Sequence, residues 1–268
     1  MLDALPALRL QDRIRQVSWY QSLELPGGVS TPGATDTADE LGRIPFPASL
    51  EGSRCLDVAT ADGFWAFEME RRGASEVVAI DLPSERQDWP ANAPRRHERT
   101  DPASPRGFDI AHDALGSNVR RLELSVYDLD PEVVDEFDFV FIGSVLLHLR
   151  DPVGALTAIS RVLRGELLSV DAISMPLTML HPRQPIARFE APGWPLWWAL
   201  NLQAYRRLFA AANLNSLATG RPFFLKVGPA HREAGDGRRE LRQRLGMLTA
   251  SKLGLLHAWV RAKAAVPL

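Results

Sequence analysis

Three consecutive segments between residues 54 and 82 constrain the fold more than anything else in the chain. "RCLDVAT" (54–60) reads as a buried strand, "DGFWAFEMERRG" (62–73) as a helix stopped by Gly73, and "SEVVAIDL" (75–82) as a second strand ending on an acid. A strand, one crossover helix and another strand with no spare residues form a right-handed parallel unit. The alternation continues downstream. "FDIAHDALGSN" (108–118) is a helix and "RLELSVYDL" (121–129) a third strand. "FDFVFIGS" (137–144) is a fourth strand, apolar enough to be covered on both faces. "DPVGALTAISRVL" (151–163) is a helix with Pro152 near its first turn and Gly165 beyond its end. "ELLSVDAI" (166–173) is a fifth strand, 202–214 a helix, and short strands near 216–219 and 222–228 complete the sheet. The expected fold is α/β, with a doubly wound, mainly parallel sheet.

Around this sheet lie less regular parts. A helix is expected over 9–22, then a loop over "ELPGGVSTPGATDT". Residues 83–107 carry five prolines and many charges and read as a long surface loop. An aromatic, proline-bearing connection covers 174–201. The tail from 230 has eight Lys/Arg against three Asp/Glu and reads as a basic amphipathic helix. Docking on the domain is its expected use, with homodimerisation, a membrane surface and RNA as the alternatives. The chain thus divides into an N-terminal extension (1–50) capping cofactor and substrate, a sheet domain (51–229) and a helical C-terminal extension (230–268).

Composition narrows the function classes. The formal charge of −2 and pI near 6.3 supply no whole-chain field toward nucleic acid or membrane. The lone Cys55 lies in an apolar run, and no Cys/His cluster has zinc spacing, so neither an intramolecular disulfide nor a metal is expected. "MLDALPALRLQDRIRQ" carries acids and is not a secretory signal, and the apolar stretch 139–149 is too short to span a bilayer. A cytoplasmic setting is expected.

Ligands of such sheets bind beyond the carboxyl ends of the strands, at the point where strand order reverses. Asp57, Asp81, Asp128 and Asp171 fall at or near such ends. Asp81, about twenty residues beyond the first turn, is placed to accept hydrogen bonds from ribose hydroxyls. Acids also gather at strand ends simply because strands end at the surface. Two in this spacing, followed by Asp62-Gly63 opening a helix, favour a binding role. Where a dinucleotide fingerprint carries glycine this chain has Ala59 and Ala61, and Asp62 adds negative charge. Pyrophosphate, which must approach backbone N–H groups closely, is disfavoured. A phosphate-free ligand with an ammonium group fits better, and S-adenosylmethionine is one.

"LDVATADGFWAFEMERRGASEVVAIDL" resembles the first two motifs of class I S-adenosylmethionine-dependent methyltransferases. Within them the chain is similar to the group related to the tRNA wobble-uridine (5-oxyacetic acid pathway) methyltransferases. That likeness extends to "WYQSLELPGGVSTPG", "FDFVFIGSVLLHLRDPVGALTAISRVL" and "WPLWWALNLQAYRRLFAAANL", covering about 18–228. It implies a Rossmann-like methyltransferase domain in which Asp57 and residues 59–63, including Gly63, flank the methionine part of the cofactor. Asp81 and the adjoining Leu82 would meet the ribose, and Asp128, Leu129 and Tyr127 the adenine edge. Ile142 and Gly143 would lie beside the sulfonium. Relatives that use a carboxylated cofactor hold it with a Tyr where this chain has Leu147, which implies ordinary S-adenosylmethionine and S-adenosylhomocysteine as product.

Methyl transfer needs an aligned nucleophile and, for a hydroxyl, a proton acceptor. His148 leads the candidate bases, against the alternative that it orders "LRDP"; His181 and His112 follow. Trp19, Tyr20, Trp194, Trp197 and Trp198 are candidates for an apolar acceptor pocket, or simply pack the extensions. Adjacent residues 197 and 198 would point in different directions on a helix, so one of them at most would face the pocket. Arg150 and the arginines of 83–107 are weaker candidates for gripping an acidic acceptor. The expected function is methyl transfer to a small molecule, at oxygen first and nitrogen second. A tRNA-modifying enzyme and a non-catalytic binding protein on a degenerate cofactor fold are the alternatives.

Overall fold

A computed structural model describes residues 4–83, 86–87, 90, 106–190, 196–230 and 255–265. The N-terminal part holds α1 (Ala4–Arg15), the hairpin β1 (Glu24–Leu25) and β2 (Val29–Ser30), and α2 (Thr37–Leu41). The alternating part runs β3 (Arg54–Val58), α3 (Phe64–Arg71), β4 (Glu76–Asp81), α4 (Gly107–Leu115), β5 (Arg120–Glu123), α5 (Pro131–Val134), β6 (Phe137–Gly143), α6 (Pro152–Val162) and β7 (Leu163–Ala172). Then follow α7 (Met175–Leu180), the hairpin β8 (Ala187–Phe189) and β9 (Trp198–Leu200), α8 (Leu202–Ala211), β10 (Leu214–Thr219), β11 (Phe223–Leu225) and β12 (Leu255–Ala264).

The main sheet has the order β10-β12-β7-β6-β3-β4-β5, with β11 also paired to β12. From β7 through β5 all pairs are parallel, whereas β12 runs antiparallel to both β7 and β10. Alternate strand residues enter separate cores, as the two-residue strand period requires. Leu56, Val58, Val140, Ile142 and Leu167 pack with α6 and α8 on one face. Cys55, Val77, Phe139, Phe141 and Val170 pack with α3, α4 and the N-terminal part on the other. The doubly wound, mainly parallel sheet read from the sequence is therefore present. Strand order reverses between β3 and β6, whose carboxyl ends form the crevice.

The structure differs from the sequence reading in several places. Of the expected helical tail, residues 231–254 lie outside the described residues, but 255–264 form β12, inside the sheet between β10 and β7. Ala258, Val260 and Ala262 are fully buried on one side, an alternation that a helix does not produce. Helix-favouring Leu and Ala are overridden by pairing on both edges. The domain boundary at 229 consequently cuts through one sheet. The N-terminal helix stops at Arg15 rather than 22, and Gln21 forms an isolated parallel bridge with Thr35. There Ser22 N–H donates to the Thr35 carbonyl, and Thr35 N–H to that of Tyr20. The third strand ends at Glu123 because Ser125 Oγ accepts from the Tyr127 N–H and starts a 3-10 turn over Val126–Asp128. Gly165, expected beyond a helix end, lies inside β7, where a Cβ would overlap the Asp138 carbonyl of β6.

Candidate functional site

At the switch point a narrow cleft is floored by the ends of β3 and β6, through Asp57, Val58, Ala59, Phe141, Gly143 and Ser144. Its roof comes from the N-terminal part, through Tyr20, Gln21, Thr35, Thr37 and Glu40, with Trp65 of α3 closing one side. A broader hollow, lined by Phe46, Ala48, Ser49, Glu51 and residues 71–73, lies at the opposite ends of the strands.

The turn after β3 has a demanding backbone. Ala59 and Ala61 take φ of 58° and 51°, and Gly63 one of 94°. Left-handed conformations suit glycine because any Cβ crowds the following carbonyl. The two alanines therefore occupy glycine conformations while carrying methyl groups. Neighbours hold the turn: Thr60 N–H donates to the Ile80 carbonyl (3.1 Å), and Ala61 N–H to Asp81 Oδ2 (2.9 Å). Asp81 also accepts from its neighbour Leu82 N–H (2.7 Å).

The N-terminus of α3 is sealed by the roof. Gln21 Oε1 accepts from Phe64 N–H (3.0 Å), in the place where an anionic ligand would bind a helix terminus. Asp62 turns its carboxylate onto the roof, accepting from Tyr20 N–H (2.7 Å) and Gln21 N–H (2.9 Å). Its side chain is thus committed to fastening the N-terminal part, a role the sequence reading did not foresee. Pyrophosphate is doubly disfavoured here, first by the methyl groups and then by these acceptors.

Burial sets the protonation of the acids. Desolvation pushes Asp57 up to about 7, against the pull of the Thr60 hydroxyl, which donates to it at 2.7 Å. Asp81 rises to about 6 through burial, opposed by the N–H groups of Leu82 and Ala61. Asp171, at the end of β7, rises to about 7 through burial although Leu146, Ala172 and Val145 donate N–H bonds to it. Glu40 rises to about 8, through burial and then the like charges of Asp171 and Asp39. Burial also pushes the Tyr20 phenol up, with Glu40 adding to it and Ser144 opposing.

Ser144, with φ of 54°, shares a hydrogen bond of 3.2 Å with His257 Nε2. His257 Nδ1 lies 2.9 Å from the Leu255 carbonyl, which can only accept, so Nδ1 carries the proton and Ser144 donates to Nε2. Burial lowers His257 to about 4.

The remaining expected residues are distributed around this centre. Ile142 is fully buried in the core behind Gly143. Tyr127, Asp128 and Leu129 occupy the 3-10 turn after β5 and the residue beyond it. The Tyr127 hydroxyl accepts from Asp151 N–H (3.2 Å), Asp128 is exposed and Leu129 is buried. Trp19 is buried, with Nε1–H bonded to the Ile14 carbonyl (3.0 Å), and packs the roof rather than lining the cleft. Trp197 and Trp198 belong to the β8–β9 hairpin and its approach. Trp197 N–H donates to the Leu147 carbonyl (2.9 Å), and the Arg150 guanidinium lies 4.8 Å from the Trp197 ring centre. Trp194 and residues 91–105 of the arginine-bearing loop lie outside the described residues. None of the candidate histidines lines the cleft. His148 closes a 3-10 turn after β6, His181 ends α7, and His112 stacks on Phe108 of its own helix.

Sequence reasoning missed Gln21, Thr35, Thr37, Glu40, Ser144 and His257. "TADEL" (37–41) drew no reading from the sequence. The available signal was Thr37 and Glu40 three apart, on one face of a short helix; both are buried. Among the described residues no group of three His, Cys, Asp or Glu is arranged to hold a metal, and no helix is long and apolar enough to cross a membrane.

A mainly parallel sheet with an acid-lined crevice at its switch point defines an α/β domain of the doubly wound class. Residues 34–219 match the family model described as a methyltransferase domain, and the chain belongs to that family. No curated protein matches it. Solved structures share its fold. The N-terminal domain of EvdMO1 with SAH bound superposes with a TM-score of 0.56 at 16% identity, covering 97% of both chains. The Burkholderia thailandensis 1,6-didemethyltoxoflavin-N1-methyltransferase, with its acceptor and S-adenosylhomocysteine bound, gives 0.50 at 17%, covering 85% of this chain and 74% of that one. The [4+2]-cyclase SpnF gives 0.52 at 17%, covering 82% and 79%.

Proposed function

We propose that the protein is an S-adenosylmethionine-dependent methyltransferase acting on a small-molecule acceptor, at oxygen in the first instance and at nitrogen as the alternative. The carrying observation is the switch-point cleft. Among the described residues Asp57 and Glu40 are its only acidic lining groups, with no Lys, Arg or His beside them, and the adjoining helix terminus is closed to anions by Gln21. This donor and acceptor set fits a ligand whose reacting end is cationic. When bound, S-adenosylmethionine supplies a methyl carbon activated by its sulfonium. The chain's part is to hold and align. Asp81 keeps the 59–63 turn in place and, beyond the N–H bonds it accepts, offers lone pairs to ribose hydroxyls. Asp57 and the turn flank the methionine part, with Leu82, Tyr127, Asp128 and Leu129 toward adenosine and Gly143 beside the sulfonium. Roof residues Tyr20 and Gln21 exclude water.

Within the family, "WYQSLELPGGVSTPG" and "LLHLRDP" support kinship with the wobble-uridine group. Leu147, and a cleft with no cationic lining residue among the described residues, support the ordinary cofactor over a carboxylated one.

Calorimetry with S-adenosylmethionine and S-adenosylhomocysteine tests the reading. Micromolar binding, weakened by Asp81→Asn, is expected; no binding at millimolar concentration would sink it. Incubation with methyl-labelled cofactor and a cell extract then identifies the acceptor. Label in tRNA rather than in small molecules would move the assignment to a tRNA-modifying enzyme.

A further inference from the structure

His257 on β12 is 1% exposed and does not itself line the switch-point cleft; it reaches that space through Ser144, which does. Ser144 Oγ lies 3.2 Å from His257 Nε2. The Leu255 carbonyl holds the Nδ1 proton, so Nε2 presents a bare lone pair to the hydroxyl. Ser144 follows Gly143 at the end of β6 and takes φ of 54°, a left-handed conformation that crowds its Cβ. Strain at a strand end that opens on a cleft points to a use for the side chain. From the roof, the Tyr20 hydroxyl meets the same serine.

Two uses of such a pair can be told apart. A serine activated by histidine is the nucleophile of acyl transfer, but that chemistry needs free N–H groups beside the serine for the oxyanion. Here Val145 N–H and Leu146 N–H both donate to Asp171 Oδ2, at 3.1 and 2.7 Å. A carboxylate fills the oxyanion position, and acyl transfer is disfavoured. Proton removal makes no such demand. It needs a hydroxyl on the cleft wall and, behind it, a base that is unprotonated at neutral pH. Burial lowers His257 to about 4 and so keeps Nε2 free, whereas the Glu40 carboxyl, pushed up to about 8, keeps its proton. Asp57 is occupied by the Thr60 hydroxyl, and burial keeps the Tyr20 phenol protonated.

We infer that Ser144 and His257 are the proton-accepting pair of the transfer reaction, and that the acceptor atom is a hydroxyl oxygen. This rests on the cofactor reading above, in which Gly143 lies beside the sulfonium and Ser144 is the next residue. The acceptor hydroxyl donates to Ser144 Oγ. As a lone pair of the acceptor oxygen bonds to the methyl carbon, the carbon–sulfur electron pair returns to sulfur. The acceptor proton passes to Ser144 Oγ while the Ser144 proton passes to His257 Nε2. Serine ends unchanged and histidine ends as imidazolium, which returns its proton through Ser144 to water once the product has left. The oxygen is far more acidic while its bond to carbon is forming, so a weak base suffices. A neutral amine attacks with its own lone pair and sheds its proton to water afterwards, which gives the pair nothing to do.

Ser144→Ala removes the link and keeps the turn, since alanine already occupies left-handed positions at 59 and 61. Calorimetry with S-adenosylhomocysteine should give this variant an affinity within about twofold of wild type. At saturating S-adenosylmethionine, its transfer of labelled methyl to the product formed in cell extract should fall by roughly 100-fold or more. His257→Asn should lose as much, with thermal unfolding checking that it folds; if it does not, Ser144→Ala carries the test. Nitrogen-15 NMR of histidine-labelled protein reads the pair without turnover. Wild type near neutral pH should show His257 uncharged with its proton on Nδ1, and the Nε2 signal should move in Ser144→Ala. The inference is overturned if Ser144→Ala transfers methyl at the wild-type rate, if the product carries the label on nitrogen, or if His257 holds a proton on Nε2. Each of these leaves the methyltransferase reading standing. Wild type that binds no S-adenosylhomocysteine, or binds it and transfers no methyl, removes that reading and this inference together.

Discussion

Ala59 and Ala61 make a prediction whose sign runs against the usual effect of glycine. At an ordinary position, Ala→Gly costs roughly 0.5–1 kcal/mol because the unfolded chain gains freedom. At φ of 58° and 51° the alanine itself is crowded, by about 1–2 kcal/mol per residue. Subtracting about 0.4–1 kcal/mol for the freer unfolded chain leaves a net gain of roughly 0.5–1 kcal/mol for each substitution. The pair stands within one turn, so the double variant need not be additive, and roughly 1–2 kcal/mol spans the expectation. For a chain of this size that is a rise of about 2–6 °C in the unfolding midpoint. Urea unfolding followed by tryptophan fluorescence reads the change as a higher midpoint at unaltered slope. Ala210→Gly, on the exposed face of α8, serves as the opposite control and should lose roughly 0.5–1 kcal/mol. If Ala59→Gly and Ala61→Gly destabilise as the control does, the left-handed assignment of the turn is wrong.

Further outcomes follow from other contacts. Asp62→Ala strands the N–H groups of Tyr20 and Gln21; it should cost about 2–3 kcal/mol and speed amide exchange in residues 18–36, and exchange as slow as in wild type would show that the roof is held otherwise. Asp57, Asp81, Asp171 and Glu40 all have folded pKa values above their ordinary range, so the folded state keeps protons that the unfolded chain gives up above about pH 4. Stability of the unliganded protein should therefore fall as pH rises from 5.5 to 8; His257, lowered to about 4, opposes this only below about 6.5. A urea midpoint higher at pH 8 than at 5.5 would contradict these burial effects. Gly165→Ala forces a methyl into the Asp138 carbonyl and should cost about 1–3 kcal/mol or prevent folding, so a neutral result would rule out the close approach of β6 and β7.

Legibility from sequence followed the range of the interactions. β3, α3 and β4 announce themselves because each carries its own period, and the acids at their ends come with them. The parallel sheet follows from that alternation alone. Glu40 and Gln21 were not legible, because their roles depend on the roof folding back over a strand end some tens of residues away. Asp62, which takes the Tyr20 and Gln21 N–H groups, and the Gln21 amide oxygen on Phe64 N–H tie the two together, and the Asp62 carboxylate had been expected to face a ligand. β12 was missed for a similar reason: Leu, Ala and Lys favour a helix locally, and it is the open edges of β7 and β10 that make a strand of them. The left-handed backbone of Ala59 and Ala61 was hidden because residue identity argued against it, while the Asp81 carboxylate and the Ile80 carbonyl imposed it.

The position of β12 also orders events during synthesis. Ala172 of β7 pairs with His257, and Leu167 with Ala262, so this edge of β7 stays open at least until residue 262 has been made. At about 5–20 residues per second, β7 spends on the order of 5–20 s with an apolar edge unpaired. During that interval β6, β3, β4 and β5 can already be assembled, leaving a half-sheet whose exposed rim is open to any strand of the same character. A nascent chain of this protein is therefore most vulnerable to association with its neighbours after β7 has been made and before β12 has joined it.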